Sequence, residues 1–166
     1  ARRRVVAVVD GVLEFLEDVF LLLAFARAVR DRVDGGLAPV AIKLAHAMGA
    51  DFLEQDVVAT RDGALIVFHD LYLDDLTDVA LRFPGRARGD GRHYCIDFDL
   101  AEIRLLTLTE RRRAGQDELR WPGRFPAAAG SFAIPTLDEE IRFIQGLNHS
   151  TGRCAGIYPE IKSPAW

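Results

Sequence analysis

The sequence predicts an α/β fold with a mainly parallel sheet, and three of its features do so. Short runs of strand-forming residues alternate with stretches of helical periodicity. Glycine-bearing breaks, DGG at 34–36 and RDG at 61–63, separate them. The chain has 166 residues, 49% of them apolar and 28% charged, which suffices for one domain with a packed core and argues against disorder. The alternation fits either a doubly wound sheet or a (β/α) barrel. A complete barrel needs roughly 250 residues, so on the second option about half of one is present.

The elements follow in chain order. Residues 5–9, VVAVV, form a candidate buried strand. Residues 12–33 read as an amphipathic or buried helix. The chain opens on Ala, as a processed or partial chain does, and its basic start and apolar run imitate a secretion signal. However, Asp10, Glu14, Glu17 and Asp18 interrupt the apolar part, and the run VFLLLAFA is too short for a membrane span. Residues 38–48 suit a short helix with Pro39 in its first turn. GAD at 49–51 leads into a strand over 52–60, RDG makes a tight turn, and ALIVFH at 64–69 runs back as a second strand.

From 72 to 131 the pattern loosens into a small loop-rich insertion. FPGRARGDGR and WPGRFPAAAG read as loops, and one short helix starts at Asp99 as N-cap with Glu102 three residues on. Order returns at Thr136, an N-cap whose capping box Glu139 completes. Ile141 and Ile144 follow at helical spacing, and Gly146 or Asn148 would end that helix. GIYPEIK at 156–162 is a further strand.

The net charge of −4 offers no electrostatic case for nucleic acid as a partner. The basic clusters Arg2–Arg4 and Arg111–Arg113 read as solvated surface. No transmembrane segment is expected. Cys95 and Cys154 match no zinc spacing and stand either as one disulfide or as two thiols.

The chemistry concentrates in FLEQDVVATRDGALIVFHD, residues 52–70. Side chains alternate faces along a strand, so Glu54 and Asp56 share one. Two carboxylates side by side repel unless a cation lies between them, and a hard cation such as Ca²⁺ or Mg²⁺ meets that need with oxygen ligands. If the turn centres near Asp62, paired positions across the hairpin sum to about 124, which returns His69 opposite position 55, beside the acids. Further on, Glu160 and Lys162 share a strand face, an acid beside a cation suited to phosphate. A histidine near a metal-held phosphate is placed for proton transfer. Each feature also has a plainer reading: exposed charge for Glu54 and Asp56, a hydrogen-bonded pair for His69 and Asp70, a surface ion pair for Glu160 and Lys162. His46 reads as a packed or surface histidine, while His93 and His149 fall in loops with no acid at ligand spacing.

The segments GADFLEQDVVATRDGALIVFHD, LTDVALRFPGRARGDGRHYCIDFDLAEI, PGRFP, EEIRFIQGLNHSTG and GIYPEIKSPAW resemble the glycerophosphodiester phosphodiesterases, specifically the bacterial periplasmic type. The likeness runs from about residue 38 to 166, with 72–131 as an insertion, and leaves 1–37 as an atypical N-terminal segment. It implies a partial TIM-type (β/α) barrel of the phospholipase-C-like phosphodiesterase fold. It further implies metal-dependent hydrolysis of small glycerophosphodiesters to sn-glycerol 3-phosphate and an alcohol, in the periplasm, with Ca²⁺ as the ion and Mg²⁺ as the alternative. By position, Glu54, Asp56 and Glu160 match metal ligands, His69 matches one of two catalytic histidines, and Lys162 matches a lysine near the phosphate. The family's other catalytic histidine stands in a His-Arg-Gly motif on the first strand, and none of the four histidines here precedes Arg-Gly. A shifted reading frame upstream of about position 38 would produce that departure. The alternative to the hydrolase is therefore an inactive remnant of the family.

Overall fold

The computed structural model describes residues 5–6, 38–109, 111 and 133–164. The helix expected over 12–33 lies outside them, as do most of the expected strand 5–9 and part of the insertion. Strands β1 (Val5–Val6), β2 (Phe52–Ala59), β3 (Leu65–Val67) and β4 (Gly156–Ile161) form one sheet. β2 pairs in parallel with β1 at Val5↔Phe52 and with β4 along Phe52↔Gly156 to Val57↔Ile161. β3 pairs antiparallel with the last residues of β2. Phe52 pairs with both β1 and β4, and Val57 with both β3 and β4. β4 therefore owns one edge of β2, while β1 and β3 share the other at opposite ends. The parallel arc β1-β2-β4, with helices preceding β2 and β4, is a partial (β/α) barrel, and β3 is a hairpin excursion from its rim.

Two apolar clusters cover the two faces of β2. Helix α1 (Ala38–Ala47) and the long helix α4 (Leu137–Thr151) lie on the face of Leu53, where Ile42, Ala50, Ile144 and Ala155 close around it. The opposite face carries Val58, which joins Ile66, Phe68 and the insertion's own Leu73, Leu76, Val79, Cys95, Phe98, Ile103, Leu106 and Leu108. The stretch expected to be loose thus builds the larger of the two clusters. Its elements are short: α2 (Val79–Arg82), a 3₁₀ turn (Cys95–Asp97) and α3 (Leu100–Ile103). Composition hid this because the glycines and arginines of 84–92 dominate the count, while the buried residues are spaced singly between them. Those arginines are themselves ordered: Arg88 pairs with Asp97 at 2.7 Å, and Arg92 with Asp75 at 3.1 Å.

Local capping follows the expected chemistry. Asp99 and Glu102 form a capping box on α3, and Arg61 from the β2–β3 turn donates to Asp99 Oδ1 at 2.8 Å, tying the hairpin to the insertion. Thr136 and Glu139 cap α4, whose helix runs on past Gly146 and Asn148 to Thr151. It ends at Gly152, where φ is +67°. A helical glycine costs only about 1 kcal/mol against alanine, which packing against β2 offsets, whereas the left-handed turn needs the glycine at 152. Thr136→Ala is expected to cost about 1 kcal/mol, measured by urea unfolding, since it leaves the Glu139 amide without its acceptor. A change under about 0.2 kcal/mol would contradict that role for the cap.

Among the described residues, no helix is long and apolar enough to cross a membrane. Cys95 is buried and Cys154 exposed, both as free thiols, so the open choice between a disulfide and two thiols resolves to thiols.

Candidate functional site

Parallel pairing brings distant carboxylates to one level. Asp56 is paired with Glu160, so their side chains leave the sheet on the same face, and alternation adds Glu54 two residues back on β2. Glu54, Asp56 and Glu160 each offer an oxygen within 4.8 Å of the others'. Lys162, just past β4, is held by its amide on the Val57 carbonyl at 2.9 Å. Its Nζ lies 2.6 Å from Glu160 Oε1 and 2.9 Å from Asp56 Oδ1. The structure thus brings together four of the five residues singled out by the sequence, though the register between β2 and β4 was not legible there.

The cluster is electrostatically unsatisfied. Burial, then the charge and hydrogen bond of Asp56, and then the charge of Glu160 push the Glu54 carboxyl up to about 8, with Lys162 pulling the other way. Glu54 Oε1 and Asp56 Oδ1 are buried without a well-aligned hydrogen bond among the described residues. Three carboxylates converging on one point, with Glu54 Oε1 lacking a hydrogen bond and Asp56 Oδ1 met by the Lys162 ammonium, suit a hard divalent cation, which accepts oxygen ligands without directional demand. The residues present therefore fit such an ion.

His69 arrives by the hairpin. The β2–β3 register, Val57↔Val67, Val58↔Ile66 and Ala59↔Leu65, sums to 124 as expected, and the glycine of the turn, Gly63, has φ +82°. One step further the Phe68 amide donates to the Asp56 carbonyl at 2.9 Å, so the backbone before His69 returns to the acidic strand. The His69 ring engages Asp70, Nδ1 to Oδ1 at 2.6 Å. Asp70 in turn accepts from Arg111 Nη1 on its other oxygen at 2.8 Å. Burial acts to raise the Asp70 carboxyl, but the hydrogen bonds from His69 and Arg111 outweigh it and hold it below the ordinary value.

Arg111 corrects the expectation of a solvated cluster at 111–113: its side chain is only 15% exposed and braces the His69–Asp70 pair, while Arg112 and Arg113 lie outside the described residues. Nothing in the local pattern marks it, since a basic run on a loop has no periodicity. His93 lies in a loop, as expected, and gains a partner from far along the chain. It is buried, and Asp74, far from it in the chain, takes both its amide at 2.8 Å and its Nδ1 at 2.7 Å. His46 is packed, with Nε2 on Asn148 Oδ1 at 3.0 Å.

Comparison with known proteins adds to this geometry. The profile of the Glycerophosphoryl diester phosphodiesterase family matches residues 40–166. A glycerophosphodiester phosphodiesterase of Haemophilus influenzae is 53% identical over 123 residues, covering 73% of this chain and 34% of that protein. One from Treponema pallidum is 46% identical over 123 residues, with 73% and 35% covered. The chain therefore spans about a third of the length of these curated relatives. Among solved structures, a protein from Silicibacter pomeroyi assigned as a glycerophosphoryl diester phosphodiesterase superposes with a TM-score of 0.50 at 26% identity, over 76% of this chain and 41% of that one.

Proposed function

Since the chain belongs to the glycerophosphoryl diester phosphodiesterase family, we propose that it carries the metal-binding half of a hydrolase that cleaves glycerophosphodiesters to sn-glycerol 3-phosphate and an alcohol. Residues 38–166 are the partial domain in this reading, and 72–131 its insertion. Glu54, Asp56 and Glu160 would hold one divalent cation, Ca²⁺ first and Mg²⁺ as the alternative. When bound, the ion would neutralise phosphate charge and stabilise the charge that develops on it. The single observation that carries the proposal is the convergence of three carboxylates from two parallel strands, with the buried Glu54 Oε1 lacking a hydrogen bond.

The chain's own residues divide the remaining work. Asp70 engages Nδ1 of His69, and in this reading Nε2 would exchange the proton with the substrate. Arg111 keeps Asp70 charged and in place, so the imidazole stays oriented. Lys162 supplies an ammonium for a phosphate oxygen.

A second reading has its own support. None of the four histidines precedes Arg-Gly, and two of them, His46 and His93, are committed to Asn148 and Asp74. A chain with only one acid/base partner would bind the ion and turn over slowly or not at all. Incubation of the full chain with glycerophosphocholine, followed by ³¹P NMR with Ca²⁺ and with a chelator, separates the two. Release of sn-glycerol 3-phosphate that the chelator abolishes is expected. A rise in melting temperature with Ca²⁺ but no turnover would transfer the case to the second reading. Neither turnover nor a melting shift would overturn both.

A further inference from the structure

The lysine of the site sits on the oxygens that the ion needs. Nζ of Lys162 is 2.6 Å from Glu160 Oε1 and 2.9 Å from Asp56 Oδ1. These belong to two of the three acids whose oxygens gather within 4.8 Å. A cation at their centre and an ammonium on the same oxygens would repel each other at close range. Resting on the metal-binding reading above, we infer that Lys162 is a built-in counter-cation: it holds the acidic cluster together in the metal-free protein and is exchanged for the divalent ion.

Three features of the chain make the exchange mechanically simple. The backbone of Lys162 is pinned to Val57, so the root of its side chain stays beside the cluster while the ammonium moves. Its four-carbon stem is flexible and its charge compact, so Nζ can swing without moving the strand. The ammonium also fits the cluster imperfectly. It donates a hydrogen bond to Glu160, yet Asp56 Oδ1, buried and within ion-pair distance, lacks hydrogen-bond alignment. The ammonium thus offsets charge while leaving lone pairs unused, which an oxygen-seeking cation would take up. The side chains of Lys162 and Asp56 are 18% and 17% exposed, so without a substitute cation Asp56 and the buried Glu54 would face each other with little water between them, while Glu160 opens to solvent. After exchange the displaced ammonium remains beside the ion, within reach of an anionic phosphate oxygen.

The sequence provides a direct probe, because it contains two lysines, Lys43 and Lys162. Lys43 is exposed on α1 and serves as the internal control. Reductive methylation of the full chain, read by peptide mass spectrometry, is expected to proceed several-fold faster at Lys162 once Ca²⁺ is saturating, with Lys43 unchanged. Unchanged or slower labelling of Lys162 in the Ca²⁺-loaded protein overturns the exchange. Calorimetric titration with CaCl₂ provides the second arm. Lys162→Met is expected to bind Ca²⁺ about tenfold tighter than wild type, the equivalent of about 1.4 kcal/mol, and Lys162→Arg no tighter. Equal or weaker binding by Lys162→Met overturns the exchange and leaves the metal site standing. No binding by wild type or variant overturns the metal site and the exchange with it. Should Lys162→Met fail to fold, the labelling of wild type decides alone.

Discussion

Raising the pH from 5 to 8 is expected to destabilise the wild-type fold, and Glu140→Gln to recover on the order of 3 kcal/mol of that loss at pH 8. Glu140 lies on α4 against the Leu53 face of β2, 3% exposed, and neither of its oxygens has an aligned hydrogen bond among the described residues. Burial pushes its carboxyl from 4.5 up to about 7, against a lowering contribution from the Gln55 amide. A carboxyl raised on folding is protonated in the native state where the unfolded chain has already lost its proton. The folded state therefore binds more protons between 4.5 and about 7. Its stability contribution is complete below the unfolded value and is lost as pH rises through the folded one. Glutamine has the shape of the protonated acid and cannot ionise. Glu54 is raised too and acts in the same direction, so the informative quantity is the difference between variant and wild type, measured by urea unfolding at pH 5 and pH 8. Equal stabilities for the two proteins at pH 8 would show that Glu140 ionises on the surface of the fold.

Phe98→Ala is expected to cost about 3–5 kcal/mol, enough to unfold a marginal domain. Phe98 is wholly buried, and its ring packs on Phe83 with centroids 5.3 Å apart while the Arg86 guanidinium lies 4.6 Å over it. Its backbone carbonyl accepts from Arg61 of the hairpin turn at 2.9 Å. Removing the ring leaves a cavity at the centre of the cluster that joins the insertion to the sheet. Leu81, 81% exposed on α2, is the control: its replacement by alanine should stay within about 0.5 kcal/mol. Both are read from chemical denaturation. A loss under about 1 kcal/mol for Phe98→Ala would mean that the insertion does not carry the stability of the sheet it covers.

How far the sequence reaches depends on the range of the interaction. Asp99 with Glu102 and Thr136 with Glu139 are three residues apart, so their capping boxes are written in local spacing and recur in the structure. The hairpin register follows from a two-strand turn whose glycine fixes its centre, and the pairing of Val57 with Val67 bears it out. The family was also legible, because it resides in contiguous motifs. The end of α4 expected at Gly146 or Asn148 falls short of Thr151, since local propensity weighs the glycine without the sheet beneath it.

What the sequence by itself determined is the helix before β2, the hairpin, α4 with its cap, the final strand, the capping box at Asp99 and the residue types of the acidic site. The tertiary structure alone decided that Asp56 stands opposite Glu160, that Lys162 lies across both, that Arg111 braces Asp70, that Asp74 holds His93, and that Glu140 is sealed beneath β2. The physical reason is that each of these contacts joins segments far apart in the chain. Their alignment is set by how helices pack on a parallel sheet, and no short-range spacing encodes that.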